Sequence, residues 1–156
     1  MNIRPCTSLA LIIVFFVGSL FAETITSAGA PVQAGKSADQ ISRITAEELK
    51  SKLSRNEGVT ILDVRDTDGY VNSNDRIKGS IHVKVRRLQS RLTLPPLGNV
   101  SRDTEVVTYC ACPHDEASIR AAQILLDAGF KHVRVLDGGW QSWVRANGQV
   151  EKRPKA

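Results

Sequence analysis

The stretch "YCACPHDEAS", residues 109–118, holds the residue types best suited to chemistry. Cys110 and Cys112 stand one residue apart and are followed by Pro113, His114, Asp115 and Glu116. Four readings fit this spacing. One thiol can be a nucleophile, because the thiolate is the reactive form and local charge sets how much of it is present. The second can resolve a persulfide or sulfenate on the first. A Cys-x-Cys disulfide closes a small ring, so if formed it is expected to be easily reduced. The two cysteines with His114 are also soft ligands for Cu(I) or Zn. One short cluster lacks the second ligand pair of a structural zinc site, so no metal is expected. The plainest reading makes Cys112 a small buried residue in a turn.

The neighbouring elements decide which reading has a physical basis. "TEVVTY", residues 104–109, is β-rich and ends directly at Cys110. "EASIRAAQILLDAGF" then places Ala117, Ala121, Ile124, Leu125 and Ala128 on one helical face, and Gly129 closes it. Cys110 therefore sits between a strand end and a helix N-terminus. There, free backbone N–H groups and the helix dipole favour a negative charge. Asp115 and Glu116 oppose a thiolate, each by about 0.5–1 kcal/mol, which tempers it without abolishing it. Pointing outward as caps of the helix, they would be purely structural.

Further elements follow the same alternation. "RITAEELKSKL" begins a helix, with Thr45 and Glu48 as a capping box and Ile44 with Leu49 as its hydrophobic staple. "VTILDV" (59–64), "SIHVKV" (80–85) and "HVRVL" (132–136) read as further strands. The second of these runs into a short helix through Leu88 and Leu92. "DGGWQSWV" turns into a last short helix with Trp140, Trp143 and Val144 facing inward. Strands alternating with helices predict an α/β fold with a parallel sheet covered on both faces. Sites in such sheets lie beyond the carboxyl ends of the strands, where Cys110 falls.

The 156-residue chain, 42% hydrophobic, supports one compact core. Residues 9–22, "LALIIVFFVGSLFA", carry no charge after Arg4 and suit the apolar region of a secretory signal. Residues 1–22 are thus expected to be a signal peptide, cut as late as residue 28, or an uncleaved anchor. Residues 23–40 read as a flexible linker, 41–150 as the folded domain and 151–156 as a basic tail. Cleavage would remove Cys6, leaving Cys110 and Cys112 as the mature cysteines. An exported protein, periplasmic or in the cell envelope, can hold a disulfide. The net charge of +5 comes from scattered basic residues without interleaved aromatics, so nucleic acid is not an expected partner. Membrane contact is expected only if the N-terminal segment stays uncleaved.

At four landmarks the chain resembles the rhodanese family, over about residues 41–146. "ILDVRDTDGYVNSNDRIKGSIHV" is similar to the family's first signature, and "VVTYC" to the strand that delivers its cysteine. "SIRAAQILLDAGFKHVRVLDGGW" resembles the family's helix and strand after that cysteine, and "GGWQSW" its terminal Gly-Gly…Trp. The resemblance implies a three-layer α/β/α domain around a central, mostly parallel five-stranded sheet. It also implies sulfur transfer: a cysteine takes sulfane sulfur from a small-molecule donor such as thiosulfate, holds it as a persulfide and passes it to a thiol or other nucleophile, without a cofactor.

Several residues depart from the family pattern. The family's loop is Cys-x-x-Gly-x-Arg-Ser/Thr, whereas Ser118 here follows Cys110 at a longer spacing. Cys112 restores the usual spacing, but the Tyr-Cys junction at the strand end favours Cys110 as the nucleophile. Asp115, Glu116 and Ala117 occupy the region of the loop arginine, and Arg76 stands near a position where histidine is usual. Arg76 or Arg65 could supply the missing charge, while Asp63 and Arg65 could equally form a structural ion pair. A different donor preference is expected. With Glu116 in place of the arginine of a Cys-x5-Arg phosphate cradle, phosphatase activity is not. The loop Ala111, Pro113, His114, Asp115, Glu116, Ala117 and Ser118 is the expected anion cradle. Two other functions remain open from sequence: a non-catalytic binding module of the same fold, motivated by the arginine-free loop, and a thiol–disulfide redox protein using Cys110 and Cys112.

Overall fold

A computed structural model describes residues 40–154. The expected signal or anchor and nearly all of the expected linker lie outside the described residues. Among those described, no helix is long and apolar enough to cross a membrane.

The chain runs β1 (Ser42–Ile44), α1 (Ala46–Ser54), β2 (Val59–Asp63), α2 (Thr67–Val71), β3 (Asp75–Ile77), β4 (Ile81–His82) and α3 (Val85–Arg91). After a 3-10 turn at Leu97–Asn99 come β5 (Glu105–Tyr109), α4 (Glu116–Asp127), β6 (His132–Leu136), α5 (Gly139–Arg145) and β7 (Val150–Lys152). Five strands form one sheet in the order β1-β6-β5-β2-β4, and each neighbouring pair is parallel. This is the α/β architecture expected from the alternation.

The period-2 alternation of strand side chains sorts the core into two layers. Leu62, Val106, Val133 and Val135 face one side, where Leu88 of α3 and Ala121, Ala122 and Leu125 of α4 cover them. Ile61, Val107, Tyr109, Leu136 and Ile44 face the other, under Ala46 and Leu49 of α1 and Trp143 of α5. Cys110, one residue past β5, falls on the α3–α4 side, and Tyr109 on the opposite side.

α1 begins as its sequence dictates, with the Glu48 N–H donating to Thr45 Oγ1 at 3.1 Å. The second half of the capping box does not form as expected: the Glu48 carboxylate pairs with Arg134 at 2.6 Å. The strand expected over 80–85 shrinks to Ile81–His82, because α3 already starts at Val85. Val144, expected to face inward, is 50% exposed, so α5 docks through Trp143. Glu151 and Lys152, read from sequence as part of a tail, belong to β7, which pairs antiparallel with β3.

Candidate active site

The carboxyl ends of β2 and β5 meet in a buried polar knot. Asp63 and Arg65 are both essentially inaccessible. Arg65 grips the Asp63 carboxylate, with Nε donating at 3.0 Å to Oδ1 and Nη2 at 2.6 Å to Oδ2. The Tyr109 hydroxyl donates to Asp63 Oδ2 at 2.7 Å and accepts from the Ile77 N–H at 3.2 Å. Burial alone would raise the Asp63 pKa. The His82 ring, at 3.9 Å from Oδ1, together with Arg65 and Tyr109, outweighs it and holds the carboxyl below its ordinary range. Burial first, and then the Asp63 charge, push the Tyr109 phenol well above its ordinary value. The Arg65 guanidinium also lies 4.6 Å from the Trp140 ring centre and 5.4 Å from that of Tyr70. Asp63 and Arg65 thus brace the strand end that carries Cys110. The remaining Arg65 Nη1 is buried without a hydrogen-bond partner among the described residues.

Cys110 is 1% exposed, while Cys112 is partly exposed. The two are joined in a disulfide, with their Cα atoms 5.7 Å apart. On Cys110, the Cys112 sulfur therefore occupies the place that the outer sulfur of a persulfide would take. Beyond it, Pro113, His114 and Glu116 are exposed, and Ala111 and Ala117 are partly buried. The Asp115 N–H closes a turn on the Cys112 carbonyl at 3.4 Å, and α4 starts at the next residue. As at any helix start, the first N–H groups of α4 have no partner within the helix. The Ser118 hydroxyl is buried and makes no hydrogen bond among the described residues.

Asp115 is neither outward-facing nor a side-chain cap. It is 4% exposed, in the left-handed region at φ 57°, with no side-chain capping bond. That backbone turn drives its carboxylate into the fold. There Oδ2 accepts from Arg43 Nη1 at 2.9 Å and from the Gly138 N–H at 3.2 Å. Arg43 offsets the charge that was expected to oppose the thiolate, and its pKa is raised chiefly by the hydrogen bond to Asp115. Arg76 is likewise engaged, donating to Glu151 at 2.8 Å across the β3–β7 ribbon. Among the described residues, no three metal-ligating side chains converge on a site.

The first residues of α5 clamp the loop from the other side. The Trp140 N–H donates to the Cys110 carbonyl at 2.8 Å. Gly139, at φ +50°, passes so close that a Cβ there would collide with that carbonyl oxygen. Gly139→Ala is expected to destabilise the fold by about 1–3 kcal/mol, from backbone strain and the forced retreat of the cysteine loop. A chemical-denaturation midpoint unchanged from wild type would contradict this close approach.

Sequence reasoning missed Arg86 and Arg120. Both are exposed beside the loop and lack an ion pair among the described residues. Scattered along the chain, they gave no local signal.

The architecture and the cysteine at the end of β5 define an α/β protein with a thiol-bearing strand–helix loop. The chain belongs to the rhodanese family: the model of the rhodanese-like domain matches residues 45–146. Thiosulfate sulfurtransferase GlpE of Coxiella burnetii is 33% identical over 104 residues, 67% of this chain and 85% of that protein. Thiosulfate sulfurtransferase YnjE of Escherichia coli is 39% identical over 83 residues, 53% of this chain but only 18% of that much longer protein. The crystal structure of the Alr3790 protein from Anabaena superposes with a TM-score of 0.60 at 31% identity, covering 70% of this chain and 82% of that one.

Proposed function

We propose that the chain is an exported sulfurtransferase that carries sulfane sulfur as a persulfide on Cys110. One observation carries this reading: Cys110 stands just past the carboxyl end of β5, at the head of the loop that leads into α4, and a strand-end knot holds the backbone there. Two relatives are named thiosulfate sulfurtransferases. The start of α4 favours a negative charge in this loop, while the apolar cluster around the buried Cys110 opposes one, so the thiolate depends on the loop N–H groups. Arg43, which pairs with both Asp115 and Asp137, offsets part of the loop's acidity, while the lack of a loop arginine still motivates the reading as a non-catalytic module.

The disulfide must open first. An external thiolate attacks the accessible Cys112 sulfur, the S–S bond breaks and Cys110 leaves as thiolate with the bonding pair. A second thiol then frees Cys112, leaving an external disulfide. The Cys110 thiolate attacks the outer sulfur of thiosulfate; a new S–S bond forms, the donor's S–S bond breaks, and sulfite departs with its electron pair. An acceptor thiolate next attacks the outer sulfur of the persulfide, and Cys110 leaves as thiolate. The buried Ser118 hydroxyl is a spare donor in the first turn of α4. Intact mass of the reduced protein after thiosulfate tests the reading: gain of one sulfur supports it, and no gain refutes it.

The disulfide itself favours a second reading, in which Cys112 is an internal acceptor. Its thiolate attacks the Cys110 sulfur of the persulfide, expels hydrosulfide and restores the disulfide. Persulfidated protein freed of donor and external thiol is then expected to release one sulfide as the Cys110 persulfide and the Cys112 thiol disappear together. Cys112→Ser should block both. Sulfide release unchanged in Cys112→Ser would dismiss the internal step.

A further inference from the structure

A cleft of about 480 Å³ opens beside the sulfur loop, between the segment after β2, the start of α3 and the first turns of α4. Val64, Asp66, Lys84, Arg86, Ala117 and Arg120 line it. Ala117, in the first turn of α4, packs on the same apolar cluster as Cys110, Cys112 and Val64.

The cleft holds two guanidiniums without carboxylate partners among the described residues. Arg43, Arg55, Arg65, Arg76 and Arg134 all pair with carboxylates. Arg86 and Arg120 have no such partner among the described residues, although they approach the cleft from different helices. The carboxylate of the cleft, Asp66, has its Oδ1 occupied by the Gly69 N–H. Arg87 and Arg91, also on α3, line a separate depression with Pro95 and Pro96 that includes no residue of the sulfur loop.

We propose that this cleft is the binding site of the sulfur acceptor, an organic thiol bearing carboxylates such as a small cysteine-containing peptide. The inference rests on the sulfur-transfer reading above. The size falls within the range of organic-ligand pockets, about 300–1,000 Å³, and leaves far more room than an inorganic oxyanion fills. Val64 and Ala117 give it apolar walls that suit a carbon skeleton, while two guanidiniums at the rim are geometrically matched to carboxylates. Gly69 lies between Asp66 of the cleft wall and Ala111 of the cysteine loop, so a ligand anchored on Arg86 and Arg120 can extend its thiol from the cleft toward that loop. The cations missing from the loop itself are thus supplied from α3 and α4, for the acceptor and not for the donor.

Binding of S-methylglutathione, a thioether that cannot exchange, to the full-length protein tests the site without turnover. Arg86→Gln and Arg120→Gln are each expected to weaken it by about three- to tenfold. Added salt should weaken it as well. Arg87→Gln should leave it unchanged. Absence of saturable binding, or equal weakening by Arg87→Gln, overturns the proposal. In turnover with thiosulfate, the same two variants should raise KM for glutathione but not for mercaptoethanol or thiosulfate. A raised KM for thiosulfate alone would give the cleft to the donor and overturn the acceptor assignment. A wild-type protein that takes no sulfur from thiosulfate would refute the parent reading, whereas failed S-methylglutathione binding refutes only the cleft.

Discussion

Cys110→Ser is expected to lower thiosulfate-to-thiol sulfur transfer by about three orders of magnitude or more, the scale of losing a covalent nucleophile. A serine hydroxyl at the same strand end is a poor nucleophile without a general base, and it cannot carry a persulfide. Cys112→Ser is expected to retain donor-side chemistry and to lose only what needs the second thiol. This asymmetry separates the roles of two cysteines that sequence spacing alone leaves interchangeable. Equal loss in both variants would place the chemistry in the pair and favour the redox cycle. Full activity in Cys110→Ser would move the nucleophile to Cys112. The assay begins with reduced protein, because the disulfide occupies the Cys110 sulfur.

The second large effect is on stability. Asp63→Asn leaves the Arg65 guanidinium buried without a carboxylate and deprives the Tyr109 hydroxyl of its charged acceptor. Breaking one partner of a buried pair costs about 3–5 kcal/mol, a large share of the about 5–15 kcal/mol that holds a domain together. A double variant, Asp63→Asn with Arg65→Met, is expected to recover part of the loss, because no uncompensated charge remains. The pH dependence has a definite sign. The Asp63 pKa is lowered in the folded state, so its stabilisation is present above the ordinary carboxylate pKa of about 4 and is lost as pH falls through the depressed value. Urea midpoints measured on acidification should therefore fall more steeply for wild type than for Asp63→Asn. Parallel pH profiles would contradict the role given to this carboxylate.

The parts of the fold that were legible in the sequence are those long enough to show a period. The apolar face of α4 and the β-rich runs of β2, β5 and β6 stand out because each repeats its pattern several times. β1 does not: its three residues, Ser42–Ile44, carry two exposed side chains and one buried one, and they precede a helix cap that dominates the local reading. The β3–β7 ribbon is equally short, and its charged residues gain meaning only when Arg76 meets Glu151 across a long stretch of chain.

The candidate site was legible in its covalent chemistry and not in its charges. A cysteine between a strand and a helix can be placed by counting along the chain. The direction of Asp115 cannot, because it depends on a left-handed turn and on Arg43, which lies far away in sequence. For the same reason Arg65 and Arg76 were natural candidates for an absent loop arginine, yet both are bound to carboxylates. Arg86 and Arg120 are brought together only by the docking of α3 on α4 beside the cysteine loop.

The most direct measurement is to locate the transferred sulfur. Reduced wild-type protein is incubated with thiosulfate and digested with trypsin, and the peptide covering residues 103–120, which holds both cysteines, is fragmented in a mass spectrometer. The account predicts one added sulfur on Cys110. An unmodified peptide, or a sulfur found only on Cys112, would contradict it.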